Sequence, residues 1–150
     1  MRKRTQARES ALQILYQVEM NPGLSPREHM DLYWNNNQIT DEEVRQFSER
    51  IVTGTLEYLK EIDAIILKAT ENWELNRMAV IDHNILRFAA YELLFLGDIP
   101  PKVTINEAVN IAKRFSQEES GKFVNGVLDR ITHTEKSRAA GPHDDSKKKI

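Results

Sequence analysis

The sequence predicts an all-α protein in which six or seven helices form two three-helix groups around a shared core. Three observations support this fold class. Apolar residues recur at helical spacing through most of the first 131 residues, four Ser/Thr-x-x-Glu capping boxes mark helix starts, and no stretch reads as a convincing strand. With 150 residues, of which 40% are hydrophobic, the chain is long enough to bury such a core.

The first two predicted helices are separated by a clear turn. The first spans residues 5–20 and is ended by the Asn-Pro-Gly sequence at 21–23. The second is short: it starts at a capping box formed by Ser25 and Glu28, with proline at its first position, and ends at the asparagine run 35–37.

The third predicted helix is the longest, from a capping box at Thr40 to about Thr70. Gly54 lies in its middle and costs about 1 kcal/mol relative to alanine, so it predicts a kink or a close helix crossing. The next helix, from about Met78 to Leu96, is apolar on several sides. We therefore expect it at the centre of the molecule.

Two amphipathic helices joined by a polar turn close the pattern between Thr104 and Ile131. Capping boxes at Thr104 and Ser116 predict where they start, although Gly121 leaves a second start possible just before Lys122.

The helical pattern stops at residue 131, so we expect a single helical domain over residues 1–131 and a disordered tail over 132–150. No apolar run approaches the roughly 18 residues of a membrane span, and no apolar segment follows the basic N-terminus as in a signal peptide. We expect a cytosolic protein. The absence of cysteine excludes disulfide and thiol chemistry.

Charge is distributed unevenly along the chain. Residues 1–8 carry four basic and no acidic side chains, residues 9–131 carry 12 basic and 20 acidic ones, and residues 132–150 carry five basic and three acidic ones. An acidic body repels phosphate, so a nucleic-acid contact should be local to the basic N-terminus. A basic protein partner would suit the body.

Motifs for catalysis or metal binding are not found. The chain has no glycine-rich phosphate loop, no H-E-x-x-H sequence and no metal-ligand cysteines, and its four histidines share no spacing that suggests a site. The sequence therefore favours binding over catalysis, and no cofactor or metal is expected.

Basic and aromatic residues give weak support for RNA binding. Basic side chains at a helix start favour phosphate, although four of them at a chain start are equally explained as solubilising. Tyr16 and Phe123 are more readily explained as core residues, but if exposed they would provide stacking platforms for bases. Lys122 beside Phe123 favours RNA slightly.

Three stretches together resemble the NusB family of bacterial transcription antitermination factors over roughly residues 4–131: ARESALQILYQVE, ILRFAAYELLFLGDIPPKVTINEAVNIAKRFS and KFVNGVLDRI. The resemblance implies an all-α fold of two roughly perpendicular three-helix bundles and a protein that is not an enzyme. It also implies a function. Family members pair with NusE, a small-subunit ribosomal protein, bind the boxA element of ribosomal RNA leader transcripts, and join an RNA polymerase antitermination complex with other Nus factors.

The resemblance further implies which residues lie at the RNA. The arginines are assigned to phosphate or base contact, the aromatic rings to stacking, Lys122 and Asn125 to polar contact, and Glu119 to moderating the affinity by repelling phosphate. The complete set is Arg4, Arg8, Tyr16, Glu119, Lys122, Phe123 and Asn125. Thr5 and Gln6 stand where some members carry additional arginines, so the basic patch is thinner here.

The partner surface is expected on the central helix and the closing pair of helices. The candidates, all expected to be exposed, are Asp82, Arg87, Tyr91, Glu92 and Glu107. Some relatives self-associate, so a homodimer is a further expected form.

Two other functions are consistent with the sequence. Ribosomal RNA cytosine methyltransferases can carry a NusB-like N-terminal domain, but such an enzyme needs a following Rossmann-like domain, and this chain ends within about 20 residues of its last predicted helix. The other is an assembly scaffold, active as a homodimer or in a partner complex, whose RNA contact is incidental.

Overall fold

The computed structural model describes residues 2–71 and 78–138. Within these ranges the chain forms seven helices and no strand, which confirms the all-α prediction. They are α1 (Lys3–Met20), α2 (Pro26–Asn36), α3 (Glu42–Glu57), α4 (Leu59–Ala69), α5 (Val80–Phe95), α6 (Pro101–Phe115) and α7 (Ser120–Thr134). None of these helices combines the length and the apolar character that crossing a bilayer requires.

The chain divides into two compact units, an N-terminal unit of Met1–Glu57 and a C-terminal unit of Tyr58–Ile150. In the N-terminal unit α1 packs chiefly against α3, and α2 packs against both. The apolar positions that the helical pattern identified on these helices are buried. They include Ala7, Ala11, Ile14, Leu15, Met30, Trp34, Val44, Phe47 and Ile51.

Hydrogen bonds fix α2 at both ends. Ser25 Oγ accepts from the backbone N–H of Glu28 at 3.1 Å while the Glu28 carboxylate accepts from the N–H of Ser25 at 3.0 Å, so the predicted capping box is confirmed. Further along, Trp34 Nε1 donates to Glu49 of α3 at 2.7 Å, and Arg27 binds the same carboxylate. These bonds hold α2 on α3.

The predicted third helix is in fact two helices. The chain leaves helical geometry at Tyr58, with φ −108° and ψ 25°, and α4 begins at the next residue. The Tyr58 ring stacks on Phe95 with centroids 4.3 Å apart, which gives the break a packing partner within the C-terminal unit. Gly54 is buried inside α3, and the break in the predicted helix comes four residues later, at Tyr58. A kink or a close helix crossing at Gly54 itself stays a prediction. The helix also starts later, because Asp41 rather than Thr40 accepts from the N–H of Val44.

The C-terminal unit consequently holds four helices, α4 to α7. The predicted central helix is α5, which contacts α4, α6 and α7 and whose apolar side chains, such as Phe88 and Ile85, are fully buried. The starts predicted for the closing pair at Thr104 and Ser116 are wrong, whereas the second start left open at Gly121 agrees with the structure to within one residue. Pro101 opens α6 and Ser120 opens α7, so Thr104 lies inside a helix and Ser116 ends one.

The last helix extends beyond the boundary predicted at Ile131, continuing to Thr134. After it, Arg138 donates its backbone N–H to the carbonyl of Leu94 at 2.6 Å, and its guanidinium lies 2.8 Å from Glu61. The first part of the predicted tail, residues 132–138, therefore packs on α4 and α5. Residues 139–150 lie outside the described residues, and disorder there stays a prediction.

One carboxylate ties α4 to the central helix. Asp63 accepts from Arg87 through both oxygens, at 2.8 and 2.9 Å, and from His83 at 3.1 Å. Burial alone would raise the pKa of Asp63, but the hydrogen bonds from His83 and Arg87 outweigh it and lower the pKa to about 2.

Replacing Asp63 should therefore weaken the C-terminal unit. We expect Asp63→Asn to lower the free energy of unfolding at pH 7, because it removes the charge that Arg87 and His83 bind. The loss should stay at about 1 to 2 kcal/mol, because a third of the Asp63 side chain is in water, which weakens the ion pair. Since the folded-state pKa lies below the unfolded one, this stabilisation is present above about pH 4 and disappears as the pH falls towards 2. Urea unfolding at pH 7 and at pH 2.5 measures the difference.

Asp129→Asn is the matched control, because Asp129 is 64% exposed and the ion-pair partner of its carboxylate among the described residues is the likewise exposed His133, at 3.7 Å. It should change the free energy of unfolding by less than about 0.5 kcal/mol at either pH. Equal effects of the two substitutions at pH 7 would contradict the role given to Asp63.

Candidate nucleic-acid interface

The basic start of α1 is a site suited to phosphate. Arg2 precedes the helix without a side-chain cap on the first N–H groups, and the first turn contains no acidic residue. Arg4 is exposed, and its guanidinium lies 4.4 Å from the centroid of the Phe47 ring. Free N–H groups, the helix dipole and an exposed guanidinium all favour an anion at this end of α1.

An ion pair holds the start of α1 on the start of α3. Lys3 Nζ lies 3.1 Å from Asp41 and 3.3 Å from Glu43. Hydrogen bonds to Asp41 and then to Glu43 raise the pKa of Lys3 above its usual value. Lys3 thus stays charged and holds the helix start that carries Arg4, while the two carboxylates offset its field at the surface.

Arg8 does not lie where we expected it. Its side chain is 2% exposed, with the guanidinium 5.2 Å from the centroid of the same Phe47 ring. The direct RNA contact predicted for Arg8 is not open to a side chain buried in this way. Arg8 instead packs in the interior beneath Arg4.

Tyr16 is 37% exposed, twelve residues after Arg4 on α1 and so about 18 Å further along the helix axis. Part of the ring is open to solvent. The preference for a core position therefore does not hold for this residue, and the ring can serve as a stacking surface.

The second group of predicted RNA residues opens α7 in the C-terminal unit. Lys122 and Asn125 are exposed and lie three residues apart, so they share one face of the helix. Phe123 is half-buried. Glu119 precedes the helix, is exposed, and does not cap its N–H groups with its side chain. Each predicted residue of this group thus reaches the surface at least in part.

Two serines and an aspartate position the start of α7. Ser120 Oγ donates to Asp82 Oδ2 of α5 at 2.9 Å, and Ser116 Oγ lies 3.0 Å from Ser120 Oγ. Asp82 is 7% exposed, and its other oxygen has no hydrogen-bond partner among the described residues. Ser120 is therefore the contact that fixes this carboxylate, and with it the turn that carries Lys122 and Phe123.

The candidates for partner binding are corrected by the structure. Asp82, Tyr91 and Glu92 are buried, with Glu92 fully so, and Arg87 gives its guanidinium to Asp63. Polar residues on a helix suggest exposure, but Asp82, Arg87 and Glu92 find partners on neighbouring helices, and the Tyr91 ring stacks on Phe95 of its own helix. Of the predicted set, Arg87 and Glu107 keep partial exposure.

The first surface places the exposed Arg4 guanidinium over the buried Phe47 ring, with the partly exposed Tyr16 ring further along α1, and the second places Lys122 next to the half-buried Phe123. This combination suits an unpaired nucleic-acid strand, whose phosphates need cations and whose bases stack on aromatic or guanidinium planes. In residues 2–71 and 78–138 no group of three or more metal-binding side chains comes together.

Phe47 is the residue that sequence reasoning missed. Phe47 fits the apolar pattern of α3 and is 7% exposed, yet two arginines of α1 lie over its ring. The contact joins residues about forty positions apart, so no local spacing could have revealed it.

Comparisons with known sequences and structures all lead to one family. A model of the NusB family matches residues 5–133. The transcription antitermination protein NusB of Thermodesulfovibrio yellowstonii is 43% identical over 141 residues, which cover 89% of this chain and 93% of that protein. T. maritima NusB is 38% identical with a TM-score of 0.78, covering 95% of this chain and 96% of that one. A crystal structure of the antitermination factors NusB and NusE with double-stranded RNA contains a chain 30% identical, with a TM-score of 0.79, covering 89% of this chain and 98% of that one.

Removing the Ser120 hydroxyl should destabilise the C-terminal unit. Ser120→Ala leaves the Asp82 carboxylate buried without its donor, so we expect the free energy of unfolding to fall by about 1 to 3 kcal/mol. Ser116→Ala is the control, because it removes the outer hydroxyl and keeps the bond to Asp82, and its effect should be clearly smaller. Thermal and urea unfolding measure both; equal losses would refute the assignment.

Proposed function

The chain belongs to the NusB family, and we propose that it acts in transcription antitermination by binding, together with NusE, the boxA RNA of ribosomal RNA leader transcripts. One observation carries this proposal above the others. The chain shares its fold and 30% of its sequence with a protein that was crystallised with NusE and RNA. In this role it is a binding protein of the RNA polymerase antitermination complex.

The proposed RNA contacts follow from exposure. Arg4 supplies a phosphate or base contact at the start of α1, and Tyr16 supplies a stacking surface further along the helix. On α7, Phe123 stacks on a base while Lys122 and Asn125 make polar contacts. Arg8 acts beneath this surface, by packing on Phe47 under Arg4, since its side chain is buried.

Charge supports a basic protein partner such as NusE, which is a ribosomal protein. Residues 9–131 carry 20 acidic and 12 basic side chains, so their field attracts a basic surface and repels RNA outside the basic edge. Arg87 and Glu107, the two predicted contacts that remain partly exposed, are the proposed contributors on this chain. We propose that the partner and the RNA bind together, because neither basic patch of this chain is extensive.

The first experiment is equilibrium binding of a short boxA RNA and a scrambled RNA, each with and without NusE. We expect selective binding to boxA that strengthens with NusE. Phe123→Ala should weaken it roughly tenfold, because base stacking on an aromatic ring contributes about 1 to 3 kcal/mol. Lys102→Gln, which changes an exposed cation on α6, should have little effect. Binding to neither RNA under either condition would refute the proposal. An RNA affinity that Phe123→Ala leaves unchanged would favour a scaffold role.

Glu119 provides a test with the opposite sign. Its exposed carboxylate lies just before Lys122 and repels phosphate, so Glu119→Gln should tighten boxA binding roughly two- to fivefold at low salt, with a smaller gain at high salt. Glu118→Gln, one residue earlier in the same turn and also exposed, is the control and should change the affinity less. A weaker complex with Glu119→Gln would show that the carboxylate binds the RNA instead of repelling it.

A further inference from the structure

A cleft of about 280 Å³ opens between the start of α1 and one face of α3 in the N-terminal unit. The four α3 residues that line the cleft are spaced as i, i+3, i+4 and i+7, so they share one helix face, and two residues of α1 line the opposite side. The lining consists of Lys3, Arg4, Glu43, Gln46, Phe47 and Arg50. Neither the family resemblance nor the predicted RNA residues include the α3 side of this cleft.

The cleft contains a ready stacking plane. The Arg4 guanidinium lies 4.4 Å from the Phe47 ring centroid, so one of its faces is covered by the ring, while the side chain as a whole is exposed. A planar guanidinium held on an aromatic ring can receive a base on its other face. Within the described part of the chain, Arg4 has no ion pair that competes for its N–H donors.

The α3 face adds groups that can bind the rest of a nucleotide. Gln46 is exposed, and within residues 2–71 and 78–138 its hydrogen bonding is limited to a long 3.5 Å contact from its amide nitrogen to Glu42, so its carbonyl oxygen has no partner there. Arg50 is exposed one helical turn further along and brings a second cation to the cleft. Glu43, at the other end, is shared with Lys3 at 3.3 Å.

We propose that this cleft binds a single unpaired nucleotide of the RNA, with its base on the Arg4–Phe47 stack, its edge at Gln46 and its phosphate between Arg4 and Arg50. The proposal rests on the proposed RNA-binding function and extends the RNA path from α1 onto α3.

An unpaired nucleotide fits this cleft better than an acidic peptide does. The volume is at the small end of ligand clefts, which suits one base with its phosphate better than a length of polypeptide. The Glu43 carboxylate can accept a hydrogen bond from the amino group of a base, a contact that an acidic side chain does not offer. The combination of a flat cationic plane, an amide and a single carboxylate is typical of a site that reads base edges.

Affinity measurements with the NusE complex test the contribution of α3. Arg50→Gln should weaken boxA binding five- to tenfold and reduce the slope of log affinity against log salt by about 0.7, the value for one phosphate contact on a single strand. Gln46→Ala should weaken binding three- to tenfold with the slope unchanged. The control is Arg45→Gln, which removes the same charge from the same helix outside the cleft, where Arg45 faces Glu42 and Trp34.

Crosslinking gives a second measurement that does not depend on substitution. Trypsin cleaves after Arg45 and Arg50, so the α3 side of the cleft is released as the peptide 46–50. With boxA RNA carrying 4-thiouridine at successive positions, we expect one position to crosslink to this peptide.

The outcomes separate the two proposals. If the unsubstituted protein does not bind boxA RNA, the proposed function fails. If it binds and Phe123→Ala weakens the complex, while Arg50→Gln and Gln46→Ala match Arg45→Gln and peptide 46–50 carries no crosslink, only the cleft proposal is overturned. Loss of NusE binding with unchanged RNA binding would overturn it in favour of a protein contact.

Discussion

The pairing of polar side chains on the buried helix α5 is the constraint on which the C-terminal unit depends. Burial of this apolar helix makes an unpaired polar group on it costly. Three of them reach three different helices: Asp82 accepts from Ser120 of α7, Arg87 donates to Asp63 of α4, and Glu92 accepts from Thr104 of α6. Apolar burial alone tolerates a rotated or shifted helix, but these bonds fix the register of each neighbour against α5.

Helix existence followed from the sequence because apolar spacing is a local property, whereas helix boundaries depended on distant partners. Of four predicted capping boxes, the one at Ser25 forms as expected. Thr104 has the same local pattern, yet its hydroxyl donates to Glu92 at 3.0 Å and its helix begins earlier, at a proline. The break at Tyr58 likewise depends on stacking against Phe95, which lies 37 residues later in the chain. No pattern within either segment contains this information.

Within the candidate site too, some residues followed from local sequence and others depended on distant contacts. Exposure of Arg4, Lys122 and Asn125 agrees with their polar character, which sequence alone suggests. Arg8 and the polar residues of α5 do not agree, because a charged side chain is buried wherever packing supplies it with a partner. The Arg4–Phe47 contact shows the reverse effect, since it brings a core position of α3 to the proposed interface. Tertiary contact therefore decides which residues of a helical surface are available.

The segment after α7 also supplies a hydrogen-bond donor to a free backbone carbonyl at the C-terminal end of the central helix. The carbonyl of Leu94, in the last turn of α5, accepts from the N–H of Arg138, and the Arg138 guanidinium lies against Glu61 of α4. A polypeptide cut at the exposed Lys136 would lose this closure although all seven helices remained intact. For protein engineering, a fused domain or purification tag joined at Ile131 would remove the closure, whereas one joined beyond Arg138 would keep it.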